Sequence, residues 1–230
     1  MTQKPLPRLS VDIVSDVMCP WCIIGWRKFE GVMAHFAGRL DFRVQWHPFE
    51  LNPDMPPEGE DAAAHVMRKY GVSAEQSRAN SGKMAGIAAD LGFVFNRGPG
   101  FRMRNSFDAH RLLSWAGALE KPDQAAATGV QTALKLALFQ AHFTDNRDVS
   151  DHAVLADVAA SVGLDRARAA AILAGDEFAE MVRTEEAYWA DQNITGVPAF
   201  ILGGRMLVPG AQDPEVFIRV IERKVLADAA

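Results

Sequence analysis

The chain carries two cysteines, Cys19 and Cys22, in the run MCPWC between a strand-like segment, 11–17, and a helix-like segment, 23–37. At a helix N-terminus, unpaired N–H groups and a positive dipole potential stabilise a thiolate. Pro20 suits the first turn, where its missing N–H costs nothing. Because the thiolate is the nucleophilic form of cysteine, the pattern predicts a redox-active thiol at Cys19. Cys22 then closes a disulfide with it.

Two other interpretations of the cysteines remain open at this stage. Free cysteine is often a small buried hydrophobic residue, so both side chains could belong to the core. A structural zinc site normally has four ligands. The chain has no second C-x-x-C, and its six histidines never occur at H-x₃₋₅-H spacing, so we expect no metal site.

The composition limits the classes of function that fit the chain. With 230 residues, 49% of them hydrophobic, it can bury a substantial core. A net charge of −5 and the lack of a Lys/Arg run argue against nucleic acid as a partner. The first eight residues have no apolar h-region, and no stretch approaches 18 apolar residues, so neither a signal peptide nor a membrane span is predicted. We therefore expect a cytoplasmic protein, in which a disulfide is transient and catalytic.

Hydrophobic periodicity predicts the opening elements. After the cysteines, apolar residues recur at alternating steps of four and three, which indicates one continuous helix face. These are Cys22, Trp26, Phe29, Met33 and Phe36. Residues 42, 44 and 46 then alternate with polar neighbours, as in a strand. The order β–CxxC–α–β is that of the first half of a thioredoxin-type unit.

The remaining chain predicts a helical block followed by a return to the sheet. Residues 47–57 are proline-rich and form a loop, and residues 54–175 contain successive helical stripes. A helix at 176–192, a hairpin turning at Gly203-Gly204 and a last helix capped at Asp213 follow. We predict an α/β thioredoxin fold whose discontinuous domain, residues 9–53 and 176–227, carries a large all-helical insertion, residues 54–175.

Four motifs spread over the chain resemble one family. They are D-V-M-C-P-W-C at 16–22, H-P-F-E-L-N-P at 47–53, N-S-F-D-A-H-R-L at 105–112 and G-V-P-A-F at 196–200. The chain resembles the DsbA-like thioredoxin-fold proteins, most closely the FrnE-type branch of cytoplasmic dithiol–disulfide oxidoreductases. The resemblance implies that Cys19 attacks, that Cys22 resolves, and that Val197-Pro198 is a cis-proline loop facing them. An ordinary trans proline before an edge strand is the alternative.

Further residues in these motifs are candidates for the substrate groove, each with a structural alternative. Trp21 is expected to be partly exposed and to contact substrate or shield the sulfurs. Trp46, His47 and Phe49 line the groove or belong to the core. Asn105 and Ser106 are candidate helix caps, and His110 either faces the groove or is structural. Arg102 and Arg104 contact an anion or are merely solvated.

The resemblance implies a thiol–disulfide oxidoreductase or isomerase acting on protein or small-molecule substrates. No cofactor is required, glutathione fits as a redox partner, and a homodimer is compatible with these features. Because Pro20-Trp21 lacks a cation, we predict a less oxidising centre than that of periplasmic DsbA. The alternatives are an isomerase or transferase of the hydroxychromene-carboxylate or kappa glutathione type, whose members usually carry serine where Cys19 stands, and a peptide-binding holdase.

Overall fold

The computed structural model describes residues 5–98, 100–120 and 129–226. The elements of its main sheet and the first helix are β1 (Arg8–Ser15), α1 (Pro20–His35), β2 (Asp41–Pro48), β5 (Ala199–Leu202) and β6 (Met206–Pro209). The four strands lie in the order β2-β1-β5-β6. The strands β1 and β2 are parallel and are joined by helix α1, while β5 and β6 extend the sheet antiparallel. This arrangement confirms the predicted thioredoxin fold.

The segment between β2 and the C-terminal strands is mainly helical. It contains α2 (Ala62–Tyr70), α3 (Ala74–Asp90), α4 (Phe107–Leu119), α5 (Val130–Phe139) with a π-helical extension (Gln140–Thr144), α6 (His152–Ser161) and α7 (Arg166–Ala174). A short two-stranded ladder, β3 (Glu60–Asp61) with β4 (Arg102–Met103), lies within it. The chain then continues through α8 (Ala179–Asp191) to β5, and ends with α9 (Pro214–Val220) and a π-helical turn (Ile221–Leu226). The predicted boundary at residue 227 lies outside the described residues.

Helix α1 packs against the sheet through aromatic side chains at its predicted apolar positions. The ring of Phe29 lies 5.3 Å from that of Phe200 on β5 and 5.2 Å from that of Phe217 on α9. Trp26 is buried and lies 5.1 Å from Trp46 on β2. These contacts hold the N-terminus of α1, and with it the cysteines, at one edge of the sheet.

Two hydrophobic clusters meet at the residues that precede the cysteines. One cluster surrounds α1 and the sheet and includes both cysteines and Phe139 of α5. The other fills the helical segment and includes Val17 and Met18. The chain therefore crosses from one cluster to the other at Met18 and Cys19. No helix in the described part of the chain is long and apolar enough to span a membrane.

Candidate active site

The structure places Cys19 at the N-cap of α1, with Pro20 at the first helical position. Both thiols are free and buried, with exposed fractions of 3% for Cys19 and 1% for Cys22. The Cys19 N–H donates to Asp16 O at 3.1 Å, and the Cys22 N–H donates to Cys19 O at 3.1 Å. Trp21, between them, is 43% exposed, as predicted. The pair is thus covered by its own loop, with one aromatic ring at the surface.

A cis-proline loop lies directly against the outer thiol. The Val197–Pro198 peptide bond is cis, as the resemblance implies. The Cys19 sulfur lies 3.6 Å from Val197 O, within the range of a long hydrogen bond. This contact brings two segments, 178 residues apart in the chain, to one point.

Helix α1 approaches that loop most closely at Gly25. A methyl group added at Gly25 would lie 3.1 Å from Pro198 Cγ and 3.3 Å from a ring carbon of Phe200. Both distances are tighter than ordinary van der Waals contact, and Phe200 is fully buried. Glycine at this position therefore lets the loop sit against the cysteines.

Replacing Gly25 with alanine is expected to destabilise the fold by about 1 kcal/mol and to slow disulfide exchange, because the loop must move away. At Gly31, in the same helix, an added methyl group would have no such neighbour within 4 Å. Its replacement with alanine should instead stabilise the fold by about 0.5–1 kcal/mol through helix propensity. Denaturant unfolding of both variants provides the test. A stabilised Gly25→Ala variant with normal exchange kinetics would contradict the packing argument.

Asp16 fixes the loop that leads into the cysteines. Its side chain is fully buried and accepts hydrogen bonds from the Met18 N–H at 3.0 Å and the Leu51 N–H at 2.7 Å. His110 Nε2 lies 3.6 Å from Asp16 Oδ1. Burial alone raises the pKa of Asp16, but His110 and the two N–H groups lower it by more, so the net pKa is lowered. The site therefore contains a buried carboxylate.

A buried lysine lies behind the pair. Lys135 on α5 has no exposed surface, and its Nζ donates to Ser15 O at 3.3 Å. The ammonium group also lies over the rings of Phe139, at 5.1 Å, and Trp46, at 5.6 Å. Burial lowers the pKa of Lys135 to about 8, against the opposing attraction of Cys22 and Asp16. Lys135 is thus a positive charge at neutral pH, held next to the inner sulfur.

The pKa values of the two thiols shift in opposite directions. Burial raises the pKa of Cys22, but a hydrogen bond from Cys19, the charge of Lys135 and the Ser15 hydroxyl lower it by more. The pKa of Cys19 is raised well above its usual range, because its thiol donates to the Cys22 sulfur, is buried and faces the charges of Cys22 and Asp16. The sequence predicts the thiolate on Cys19. In the structure, the hydrogen bond from Cys19 and the charge of Lys135 favour the thiolate form of Cys22, while the helix N-terminus favours that of Cys19.

The comparisons with known proteins fit this geometry. A family model for the DsbA-like thioredoxin domain matches residues 10–222. The chain belongs to the DsbA-like thioredoxin-domain family. Membership supports thiol–disulfide oxidoreductase or isomerase chemistry in the broad sense, and the predicted recognition of this family is confirmed.

Three known proteins illustrate the similarity of this DsbA-like chain to others in sequence and fold. A probable DsbA oxidoreductase from Streptomyces coelicolor is 32% identical, with a TM-score of 0.82, over 94% of this chain and 89% of that one. The uncharacterised protein YwbO of Bacillus subtilis is 26% identical over 93% of this chain and 96% of its own. The cytosolic disulfide reductase DsbM of Pseudomonas aeruginosa, solved with GSH, is 18% identical with a TM-score of 0.60, over 94% and 99%. At that identity, DsbM shares the fold alone.

Two of the predicted groove residues of this DsbA-like chain have internal partners. Trp46 is buried, and its indole N–H donates to Thr132 at 2.9 Å. It faces α1, so it contributes to the core. His47 points to the opposite face of the sheet and hydrogen-bonds Asp12 and Glu185, each at 3.0 Å. Burial lowers the pKa of His47, but the two carboxylates raise it by more.

The other two candidates, Phe49 and His110, differ in exposure. Phe49 is half-buried and packs, with Val197, against a small cluster on the sheet. His110 is 1% exposed, and its Nε2 lies 3.1 Å from Phe49 O as well as near Asp16. His110 therefore stabilises the loop that leads into the cysteines and does not line a groove.

The remaining polar candidates have structural partners. Asn105 Oδ1 accepts from the Phe107 N–H at 2.8 Å at the start of α4. Arg102 donates to Glu58 O and Gly59 O at 2.9 Å each. Arg104 donates to Glu58 O at 2.8 Å and pairs with Asp148. These arginines hold the β4 region together and are not available to an anion.

Two residues that shape the site were missed by sequence reasoning: Asp16 and Lys135. Asp16 stands inside a quoted motif, but nothing in the sequence separates a buried carboxylate from a solvated one. Lys135 lies on the apolar face of an otherwise amphipathic helix, which is the one signal that could have identified it. Among the described residues, no group of three or more His, Cys, Asp and Glu side chains is placed to hold a metal ion.

Proposed function

We propose that this protein is a cytoplasmic thiol–disulfide oxidoreductase or isomerase that works through Cys19 and Cys22. The observation that carries the proposal is the pairing of two free thiols at the N-terminus of α1 with a cis-proline loop whose Val197 O contacts Cys19. Both cysteines of the chain belong to this pair, and none is left for a structural disulfide. This usage fits a reducing compartment.

The roles of the two sulfurs follow from what surrounds them. Cys19 contacts the loop, and its deprotonated form raises the pKa of Tyr70, which is exposed, and of Arg97. Cys22 instead faces Lys135, which has no exposed surface. Cys19 is therefore the thiol that a substrate reaches, and Cys22 is the internal one.

The reaction begins when Cys19 loses its proton. The Cys19 thiolate then attacks one sulfur of the substrate disulfide. A bond forms between the Cys19 sulfur and that sulfur, the substrate S–S bond breaks, and the other substrate sulfur leaves as a thiolate that takes up a proton. The product is a mixed disulfide on Cys19.

The second step releases the substrate and oxidises the protein. Cys22 loses its proton, which Lys135 favours by lowering the pKa of that thiol, and attacks the Cys19 sulfur. The Cys19–Cys22 disulfide forms, and the second substrate sulfur leaves and is protonated. The substrate gains two electrons and the protein loses two. A thiol of the glutathione type then restores the dithiol, which needs no further cofactor.

We further propose that the pair is less oxidising than that of periplasmic DsbA. A strongly oxidising pair needs a stabilised outer thiolate in the reduced form. Here the hydrogen bond to Cys22, burial and the charge of Asp16 raise the pKa of Cys19 instead. Equilibration of the protein with glutathione buffers, followed by acid quenching and mass measurement, gives the potential. A potential as high as that of DsbA would contradict this part of the proposal.

Reduction of insulin by the protein with a thiol donor tests the activity itself. We expect the wild type to accelerate insulin precipitation over the donor alone, and a Cys19→Ser/Cys22→Ser double variant to have no effect. If the wild type gives no acceleration, the proposal fails. If acceleration survives in the double variant, the chemistry belongs to a different site, as a cysteine-independent isomerase would require.

A further inference from the structure

Arg97 lies in the loop between α3 and β4, and its guanidinium packs over three aromatic rings. Its guanidinium carbon lies 4.5 Å from the ring centre of Phe95, 5.0 Å from that of Phe143 and 5.5 Å from that of Phe101. The loop is tied to the π-helical extension of α5, because the Asn96 N–H donates to Phe143 O at 2.8 Å. The three rings therefore hold the guanidinium in one place.

Two polar atoms of this arginine lack partners. Among the described residues, none accepts a hydrogen bond from Nε or Nη2 of Arg97, although both atoms are buried. The neighbouring His142 also has a buried Nε2 without a partner in that part of the chain, and burial together with the charge of Arg97 lowers the pKa of His142 to about 3. A buried charge is normally paired, so such a guanidinium on a rigid aromatic base is a prepared position for an anion.

Arg97 lies over a hydrophobic cluster that also contains the outer thiol. Two of the rings beneath its guanidinium, those of Phe101 and Phe143, belong to the same cluster as Cys19 and Cys22. Burial lowers the pKa of Arg97 to about 10, while a negative Cys19 raises it. The partly exposed arginine is thus placed on the cluster that holds the thiol which the proposed mechanism gives to the substrate.

We propose that Arg97 binds a carboxylate of the substrate beside Cys19, and that the protein prefers disulfides and thiols that carry such a group. This inference rests on the proposed function and names its substrate class. The planar guanidinium offers two parallel N–H groups to a carboxylate, and the three rings keep that fork oriented. When the carboxylate of such a disulfide pairs with the arginine, one sulfur of the disulfide lies against Cys19.

A series of three small disulfides of different charge tests the inference. These are 3,3′-dithiodipropionate, which is anionic, bis(2-hydroxyethyl) disulfide, which is neutral, and cystamine, which is cationic. In each case Cys19 forms a bond to one sulfur, and the other leaves as the free thiol. Oxidation of the reduced wild type is followed by acid quenching and mass measurement, and each rate is divided by that of dithiothreitol with the same disulfide. We expect the anionic disulfide to exceed the neutral one by about tenfold, with the cationic one slowest.

Variants at Arg97 separate binding from an effect on the thiol. In Arg97→Met, the advantage of the anionic disulfide should disappear while the neutral one keeps its rate. Arg97→Lys should retain part of the advantage, since it keeps the charge but not the fork. Arg39→Met is the matched control. Arg39 also stacks on a ring, that of Phe36, at 4.6 Å, but at the far end of α1, about 24 Å from the cysteines at 1.5 Å per residue.

The outcomes distinguish the inference from the proposed function. If the wild type reacts with none of the three disulfides, the proposed function fails. If it reacts with all of them at rates that do not depend on their charge, or if Arg97→Met slows all three reactions equally, the arginine does not bind substrate. A change in the pKa of Cys19 would act on the three disulfides alike. In the wild type the rate preference for the anionic disulfide should also weaken as salt is added. A preference that salt does not change would overturn the inference without any variant.

Discussion

Replacement of Lys135 with methionine is expected to slow disulfide exchange at neutral pH and to stabilise the fold. The charge of Lys135 lowers the pKa of Cys22, so its loss raises that pKa and reduces the thiolate population. One unit of pKa corresponds to a tenfold change in the thiolate fraction, so we expect a slowing of about tenfold at pH 7. The rate should recover as the pH is raised, because the thiolate then forms without the lysine.

The stability effect follows from the lowered pKa of the lysine itself. Its folded-state pKa of about 8 lies below the usual value for an unfolded chain, about 10.4. Between these values the unfolded chain binds more protons, so wild-type stability rises with pH through this window. At neutral pH the buried charge costs about 3 kcal/mol, as an upper estimate. Methionine has a similar length and no charge, so the variant should gain part of this energy and lose the rise between pH 8 and 10.

Denaturant unfolding at pH 7 and pH 10, together with rate measurements over the same range, checks both effects. Lys83→Met is the matched control, since it removes the same charge from an exposed position on α3. We expect the control to alter neither the pH profile of the rate nor that of stability. A Lys135→Met variant that is less stable at pH 7 and unchanged in its rate profile would show that the lysine is a structural residue.

Much of the fold could be predicted from local patterns. The steps of four and three from Cys22 to Phe36 predict α1, because the apolar face of a helix follows its 3.6-residue period. The capping box of Ser73 and Gln76 at the start of α3, with hydrogen bonds of 2.9 and 3.2 Å, is likewise a local S-x-x-Q pattern. The cis Val197–Pro198 bond came from the resemblance, since no local pattern separates cis from trans.

The residues that tune the site could not be predicted, because their effect depends on contacts between distant segments. Lys135 reaches Ser15 O across 120 residues. Arg97 is a candidate anion site only because of the rings around it and because no described residue accepts a hydrogen bond from its Nε or Nη2. Neither feature is visible in the sequence. The balance between the two thiols has the same origin. The helix N-terminus, which favours a thiolate on Cys19, is a local feature, whereas the lysine that lowers the pKa of Cys22 belongs to the helical segment.

Trapping of the mixed disulfide tests the central claim, that Cys19 attacks and Cys22 resolves, most directly. Cys22→Ser and Cys19→Ser are each reduced, mixed with glutathione disulfide and measured by intact mass spectrometry. In Cys22→Ser we expect one glutathione adduct on Cys19 that persists, because no second thiol can release it. In Cys19→Ser we expect almost none, since Cys22 faces Lys135 in the buried interior. An adduct that forms as fast on Cys19→Ser, or that forms on neither variant, would contradict the account.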